Sequence, residues 1–262
     1  MRRNTILFLA VMTGTSPAVA QENVFGEIGA SYGYGDIEDV DANVDTFQAY
    51  GAGAFVSAAG LGIQLGGAYD TVSVDNLGDI ESYTIDGHIY GDFGSAKAGV
   101  FAGLTRVGEL EIFGVGGFDI DEDVLSYGVE GQSRVGSFTY HGYAGVADVQ
   151  GPEFLETTLY GIGADFDVSP ALQLTANFDG AELSADGIEE ELNLSTVSLG
   201  VDYYVNSQKA PVRLSATVGR DMAEFDGFDA DGLSIGVGAA VLFGNQPNSN
   251  REKLFDSTGL PF

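Results

Sequence analysis

The chain has 262 residues, 39 of them acidic and 10 basic Lys or Arg, for a formal net charge of −29. A chain this acidic repels phosphate and lacks the Lys and Arg that nucleic-acid binding requires, so no nucleic acid is expected among its partners. With 44% hydrophobic and 11% aromatic residues it does not have the composition of an acidic disordered chain, and without any Cys it can form neither a disulfide nor a thiolate metal site.

The first predicted element is a leader over residues 1–20. Arg2 and Arg3 form a positive start, Ile6 to Met12 a short apolar core, and Ala18-Val19-Ala20 a small-residue cleavage site before Gln21. That order predicts a secretory signal peptide, since the apolar run is too short to span a bilayer. No Cys at the cleavage point means no lipid anchor there. Loss of Arg2 and Arg3 with the leader leaves a mature chain of net charge about −31. Beyond the leader no apolar run reaches 18 residues, so no transmembrane helix is expected.

From there on the recurring signal is alternation of period two, the mark of strands with two unlike faces. Leu233, Ile235, Val237, Ala239, Val241 and Phe243 share one face, against Ser234, Gly236, Gly238 and Ala240. Val197, Leu199, Val201, Tyr203 and Val205 alternate with Ser198, Gly200, Asp202 and Tyr204 in the same way. About twelve such strands are predicted, over 23–34, 44–56, 61–71, 80–92, 96–106, 124–134, 137–147, 154–168, 171–180, 193–205, 211–220 and 232–243. The 39 glycines would be costly in helices but suit a sheet that bends closely around an interior.

The predicted connections alternate in length. Short turns fall at 57–60, 93–95, 135–136, 169–170 and 206–210, rich in Gly, Ser, Pro and Asn. Longer, acidic connections fall at 35–43, 72–78, 108–123, 148–153, 181–192 and 221–231. An even strand count with this asymmetry predicts a closed antiparallel transmembrane β-barrel over 21–243, with short periplasmic turns and longer extracellular loops.

A soluble β-sandwich also alternates, but its polar face carries Lys, Arg and Glu. Here the polar face is rich in Gly, Ser, Thr and Ala, which suits a confined wet interior. Aromatic residues also gather near strand ends, at Tyr32, Tyr34, Tyr69, Tyr83, Phe93, Phe138, Tyr140, Phe166, Phe178, Tyr203 and Phe243, where membrane girdles sit. Trp, a favoured interface residue, is absent.

The leader, repeated segments such as TTLYGIGADFDVS and STVSLGVDYYV, and the final LSIGVGAAVLF together resemble Gram-negative outer-membrane β-barrels, in style similar to α-proteobacterial porins. The last segment is similar to a C-terminal insertion signal closing on an aromatic, Phe243. The chain departs from that pattern by continuing from Gly244 to Phe262, a stretch expected to form a periplasmic tail or partial plug. The resemblance implies the bacterial outer membrane as location. It implies outer-membrane lipid, lipopolysaccharide and the barrel-insertion machinery as partners, small polar solutes or cations as cargo, and a monomer or trimer.

Alternation assigns Glu27, Asp70, Asp86, His88, Lys97, Glu130, Arg134, His141, Asp165, Asp202 and Arg213 to the inner face as candidate pore-lining residues. They either line the channel or pair across it. The surplus of acids predicts cation preference. By resemblance the longest connection folds inward as a constriction, with Glu109, Glu111, Asp119, Asp121, Glu122 and Asp123 as its acids. Other acid clusters, Asp36, Glu38, Asp39, Asp41 and Asp45, Glu189 to Glu191, and Asp226, Asp229 and Asp231, lack the Ca²⁺-loop pattern. They are read as solvated loops, with weak Ca²⁺ or Mg²⁺ binding the one cofactor they allow; no specific metal site is expected. The mature chain has only His88 and His141, neither followed by the Ser of the phospholipase motif, so no enzyme activity and no catalytic residue is expected. The preferred reading is a passive porin-like channel for small polar solutes. The alternatives are a non-channel barrel with a structural or surface role and, last, an outer-membrane hydrolase.

Overall fold

The computed structural model describes residues 24–37, 42–75, 78–108, 122–150, 155–185, 192–205, 211–225, 228–244 and 254–256. The expected leader, residues 1–20, lies outside them. Twelve strands are present: β1 (Val24–Ile37), β2 (Ala42–Val56), β3 (Leu61–Val74), β4 (Gly78–Asp92), β5 (Ala96–Val107), β6 (Glu122–Val135), β7 (Phe138–Gln150), β8 (Leu155–Ser169), β9 (Leu172–Ala185), β10 (Leu192–Val205), β11 (Val212–Phe225) and β12 (Phe228–Gly244). Each is antiparallel to its neighbours in sequence, and β1 closes on β12 from Phe25↔Gly244 to Ile37↔Gly232, giving a closed barrel. Closure leaves no unpaired strand edge, the condition for sheet in a bilayer. No helix occurs among the described residues.

An even number of strands brings Val24 and Gly244 to the same end as the short turns, the end that faces the periplasm in bacterial barrels. One two-residue turn leaves only Gly136 and Ser137 between the paired Val135 and Phe138, and Gly136 adopts φ 64° there, a conformation that suits a residue without Cβ. At the other end the strands run further than alternation predicted. β11 and β12 continue to the pair Phe225↔Phe228, so most of the expected loop 221–231 is strand. Likewise β1 and β2 remain paired to Ile37↔Ala42, and β3 and β4 to Val74↔Gly78. Pairing needs only backbone, and acidic side chains at these strand ends find partners across the strands. Asp231 accepts from Arg220, Asp45 from the Tyr32 hydroxyl and Asp221 from Thr196 at 2.7 Å.

The outward face is apolar all the way round. Ile28, Leu65, Ile89, Val129, Ile162, Leu199 and Val237, from seven different strands, are all exposed large hydrophobics. Such a belt is far beyond the isolated patches of a soluble surface, and it faces lipid. Aromatic rings flank it at both ends. Phe138 stacks on Tyr140 and packs against Phe166 (5.9 and 4.6 Å between centroids) near the turns, and Tyr69 meets Tyr83 (5.0 Å) towards the loops.

Candidate functional site in the barrel lumen

Because side chains alternate along each strand, every second residue enters the lumen. Glu27, Asp70, Asp86, His88, Lys97, Glu130, Arg134, His141, Asp165, Asp202 and Arg213 all have the inward parity, and cross-strand contacts tie most of them together. The Arg213 guanidinium donates to Glu27 at 2.8 Å and to the Tyr50 hydroxyl at 2.9 Å, bridging β11, β1 and β2. Asp202 adds negative charge to the same group. Arg134 donates to Asp167 at 2.6 Å, and Asp167 also accepts from Gln173 at 2.9 Å. A register shift in β8 between Asp167 and Ser169 accompanies this cluster at the turn end. Asp70 accepts from Gln48 at 2.8 Å. His141 faces Asn177 through Nε2 at 3.1 Å and Asp165 through Nδ1 at 3.9 Å.

The most buried group lies on β3 to β6. His88 is clamped between Asp86 at 2.9 Å on Nε2 and both Glu130 oxygens at 3.0 Å on Nδ1. The Tyr90 ring fills the space beside Gly62, where a Cβ would come within 2.2 Å of it, so a larger residue at position 62 would displace the ring. Lys97 sets its ammonium 5.4 Å from the Phe25 ring centre and 5.5 Å from that of Tyr90, a cation–π pairing on both sides. Phe255, eleven residues past the end of β12 in sequence, sits against this wall. Gln64 donates its amide to the Phe255 carbonyl at 2.7 Å and accepts from the Phe255 N–H at 3.0 Å. The His88 ring stacks on Phe255 at 6.0 Å, and Tyr90 meets it edge-on at 5.2 Å. Gln64 and His88 are each 1% exposed. Beside them is a cavity of about 140 Å³ lined by Gln132, His141, Tyr143, Asn177, Asp179 and Phe255, among others.

The inner wall is not uniformly small and polar, as the sequence suggested. Towards the loop end Val124, Ala147, Leu159 and Ala181 form a buried apolar cluster, joined by Val107, Leu183 and Leu194. This is why 154–168 shows apolar residues on both faces: Leu159 points inward while Ile162 points to lipid.

Of the expected constriction acids, Glu109, Glu111, Asp119 and Asp121 lie outside the described residues, as does the side chain of Glu122. Asp123 departs from expectation. It belongs to β6 and pairs with Arg106 on the outward parity, at 2.8 and 2.9 Å, rather than standing in an inward loop. Glu38, Asp39, Asp41, Glu189 to Glu191 and Asp226 also lie outside the described residues. Asp36, Asp45, Asp229 and Asp231 are strand residues. Among the described residues no group of three or more His, Asp or Glu is placed to hold a metal ion.

Sequence reasoning missed Gln64, Tyr90, Tyr50, Asn177, Asp179 and Phe255. The first five share the inward parity; Gln64, Tyr90, Tyr50 and Asn177 carry no charge to mark them, and Asp179 falls at the loop end of the predicted strand 171–180. Phe255 follows no period, and nothing local marks it.

No known protein-family model and no curated protein matches the chain. Solved structures do resemble it in fold. The COG4313 outer membrane channel from Pseudomonas putida F1 is 13% identical, with 88% of this chain and 98% of that one covered and a TM-score of 0.60. The KdgM porin in complex with disordered oligogalacturonate is 8% identical, with 82% and 98% covered and a TM-score of 0.51. The β domain of the Bordetella autotransporter BrkA is 14% identical, with 85% and 100% covered and a TM-score of 0.51. These likenesses concern the barrel architecture. A closed barrel with a lipid-facing apolar belt, built like these outer-membrane barrels, resides in the bacterial outer membrane.

Proposed function

We propose that the chain is a passive outer-membrane channel for small polar solutes with a preference for cations, and that it is not an enzyme. The observation that carries this reading is the charge of the inner wall. Eight inner-wall carboxylates, Glu27, Asp70, Asp86, Glu130, Asp165, Asp167, Asp179 and Asp202, stand against Lys97, Arg134 and Arg213, with His88 held between Asp86 and Glu130. Inward Thr217 is exposed within the barrel, so the β10 to β12 side of the lumen has room for water. A wet lumen with net negative walls admits cations in preference to anions. Export by the 1–20 leader, insertion by the barrel-assembly machinery, contact with lipopolysaccharide and a monomeric or trimeric state complete the proposal. Weak Ca²⁺ or Mg²⁺ binding belongs to the acidic loops. Similarity to α-proteobacterial porins rests on sequence pattern alone.

The test is single-channel recording from refolded protein in planar bilayers under a KCl gradient. The proposal expects a reversal potential displaced towards that of K⁺; one displaced towards Cl⁻ overturns it. A second reading, a blocked barrel with a surface role, is favoured by the seat around Phe255.

A further inference from the structure

We infer that the lumen carries a built receptor for the chain's own C-terminal segment, and that Phe255 in this receptor closes the conduction path from the periplasmic end. The closure rests on the channel reading above; the receptor does not.

The seat is more specific than contact with a wall requires. Gln64 satisfies both backbone groups of Phe255 with its side-chain amide, reproducing the paired bonds of a β-ladder without adding a strand. Such a bidentate grip reads peptide backbone, and the ring contacts with His88 and Tyr90 read an aromatic side chain. The groups that form the receptor are held by contacts that do not involve the peptide. His88 is held by two carboxylates, and Tyr90 lies in the space that Gly62 leaves. A preorganised site loses less on binding than one that must be ordered. In an open twelve-stranded barrel, where the wall alone does not fill the interior, Gln64, His88 and Tyr90 would be wet. They are buried instead, while Thr217 on another part of the wall remains exposed.

Position fits the same reading. Gln64 lies four residues after Gly60 of one turn, and Tyr90 three before Phe93 of the next, so the seat is near the turn end. β12 ends at Gly244 on that end, and ten residues of chain span up to about 35 Å, enough to cross the mouth. Leu254, Phe255 and Asp256 share one pocket with Gln132 of β6, His141 and Tyr143 of β7, and Asn177 and Asp179 of β9, so the segment reaches from the β3 and β4 wall into the lumen towards the strands that face it.

The experiment compares the full chain, a chain ending at Gly244, and full-length Phe255→Ala and Gln64→Ala, each checked for folding by heat-modifiable gel migration. Two readouts are taken. The first is binding of a fluorescent synthetic peptide of residues 245–262 to the chain ending at Gly244. Phe255→Ala in the peptide, or Gln64→Ala in the barrel, is expected to weaken binding by about tenfold or more. The second is bilayer conductance. The full chain is expected to stay mostly closed, the shortened chain and Phe255→Ala to open, and added peptide to restore the block. A peptide that binds no better than its scrambled version overturns the receptor. Equal conductance of full and shortened chains overturns the closure. Silence from both chains, with the peptide still bound, overturns the channel reading and supports the receptor.

Discussion

At the scale of single residues, the lumen is organised by charges that find partners across strands. Arg213 is the clearest case, since it satisfies Glu27 and Tyr50 together. Its removal strands a half-buried carboxylate, and breaking such a pair is far costlier than never having it. Arg213→Ala is therefore expected to lower the unfolding free energy by about 2–3 kcal/mol in urea titrations of the refolded barrel. Arg106→Ala breaks the Arg106–Asp123 pair at the water-exposed rim, and the same titration should show no shift in midpoint. Period-two alternation suffices to sort Asp86, His88 and Glu130 to one face, because side-chain direction in a strand is fixed by parity. It cannot supply the partner. His88 and Glu130 are 42 residues apart, and only the order of strands around the barrel brings them into contact.

At the scale of the strand, the outward and inward faces tolerate opposite chemistry. Leu199, near the middle of β10, points to lipid, and Leu199→Arg is expected to cost about 2–4 kcal/mol in folding stability. Thr217→Lys, pointing into the lumen from the adjacent β11, should leave stability nearly unchanged and, under the proposed channel function, shift the reversal potential in bilayer recordings towards that of the anion. Turns make a separate prediction. Gly136→Ala places a Cβ at φ 64° and is expected to destabilise the barrel by about 1 kcal/mol in the same titrations. Strand centres were legible in the sequence because lipid and lumen impose unlike residues on alternate positions. Strand ends were not. Beyond the apolar belt both faces meet water, so alternation fades while backbone pairing continues, as at Asp231, Asp229 and Phe228. Acid there reads as loop although it decorates strand.

At the scale of the molecule, closure follows from parity and count: twelve strands return the chain to the end where it began, and β1 pairs with β12. The path of the chain after Gly244 was not legible, since no repeat or period marks Phe255, and its place depends on a pocket assembled from β3 and β4. Common to every level is the assignment of the greasy face to lipid and the small polar face to an enclosed aqueous lumen. The absence of Cys makes this directly measurable, because a single introduced thiol can carry a spin label anywhere on the barrel. Labels placed one at a time from position 198 to 203 in protein reconstituted in bilayers should alternate. Positions 199, 201 and 203 should be relaxed by oxygen dissolved in lipid, and 198, 200 and 202 by a water-soluble nickel chelate. Odd positions shielded from both reagents, as against a second packed sheet, would contradict the membrane barrel and the channel with it.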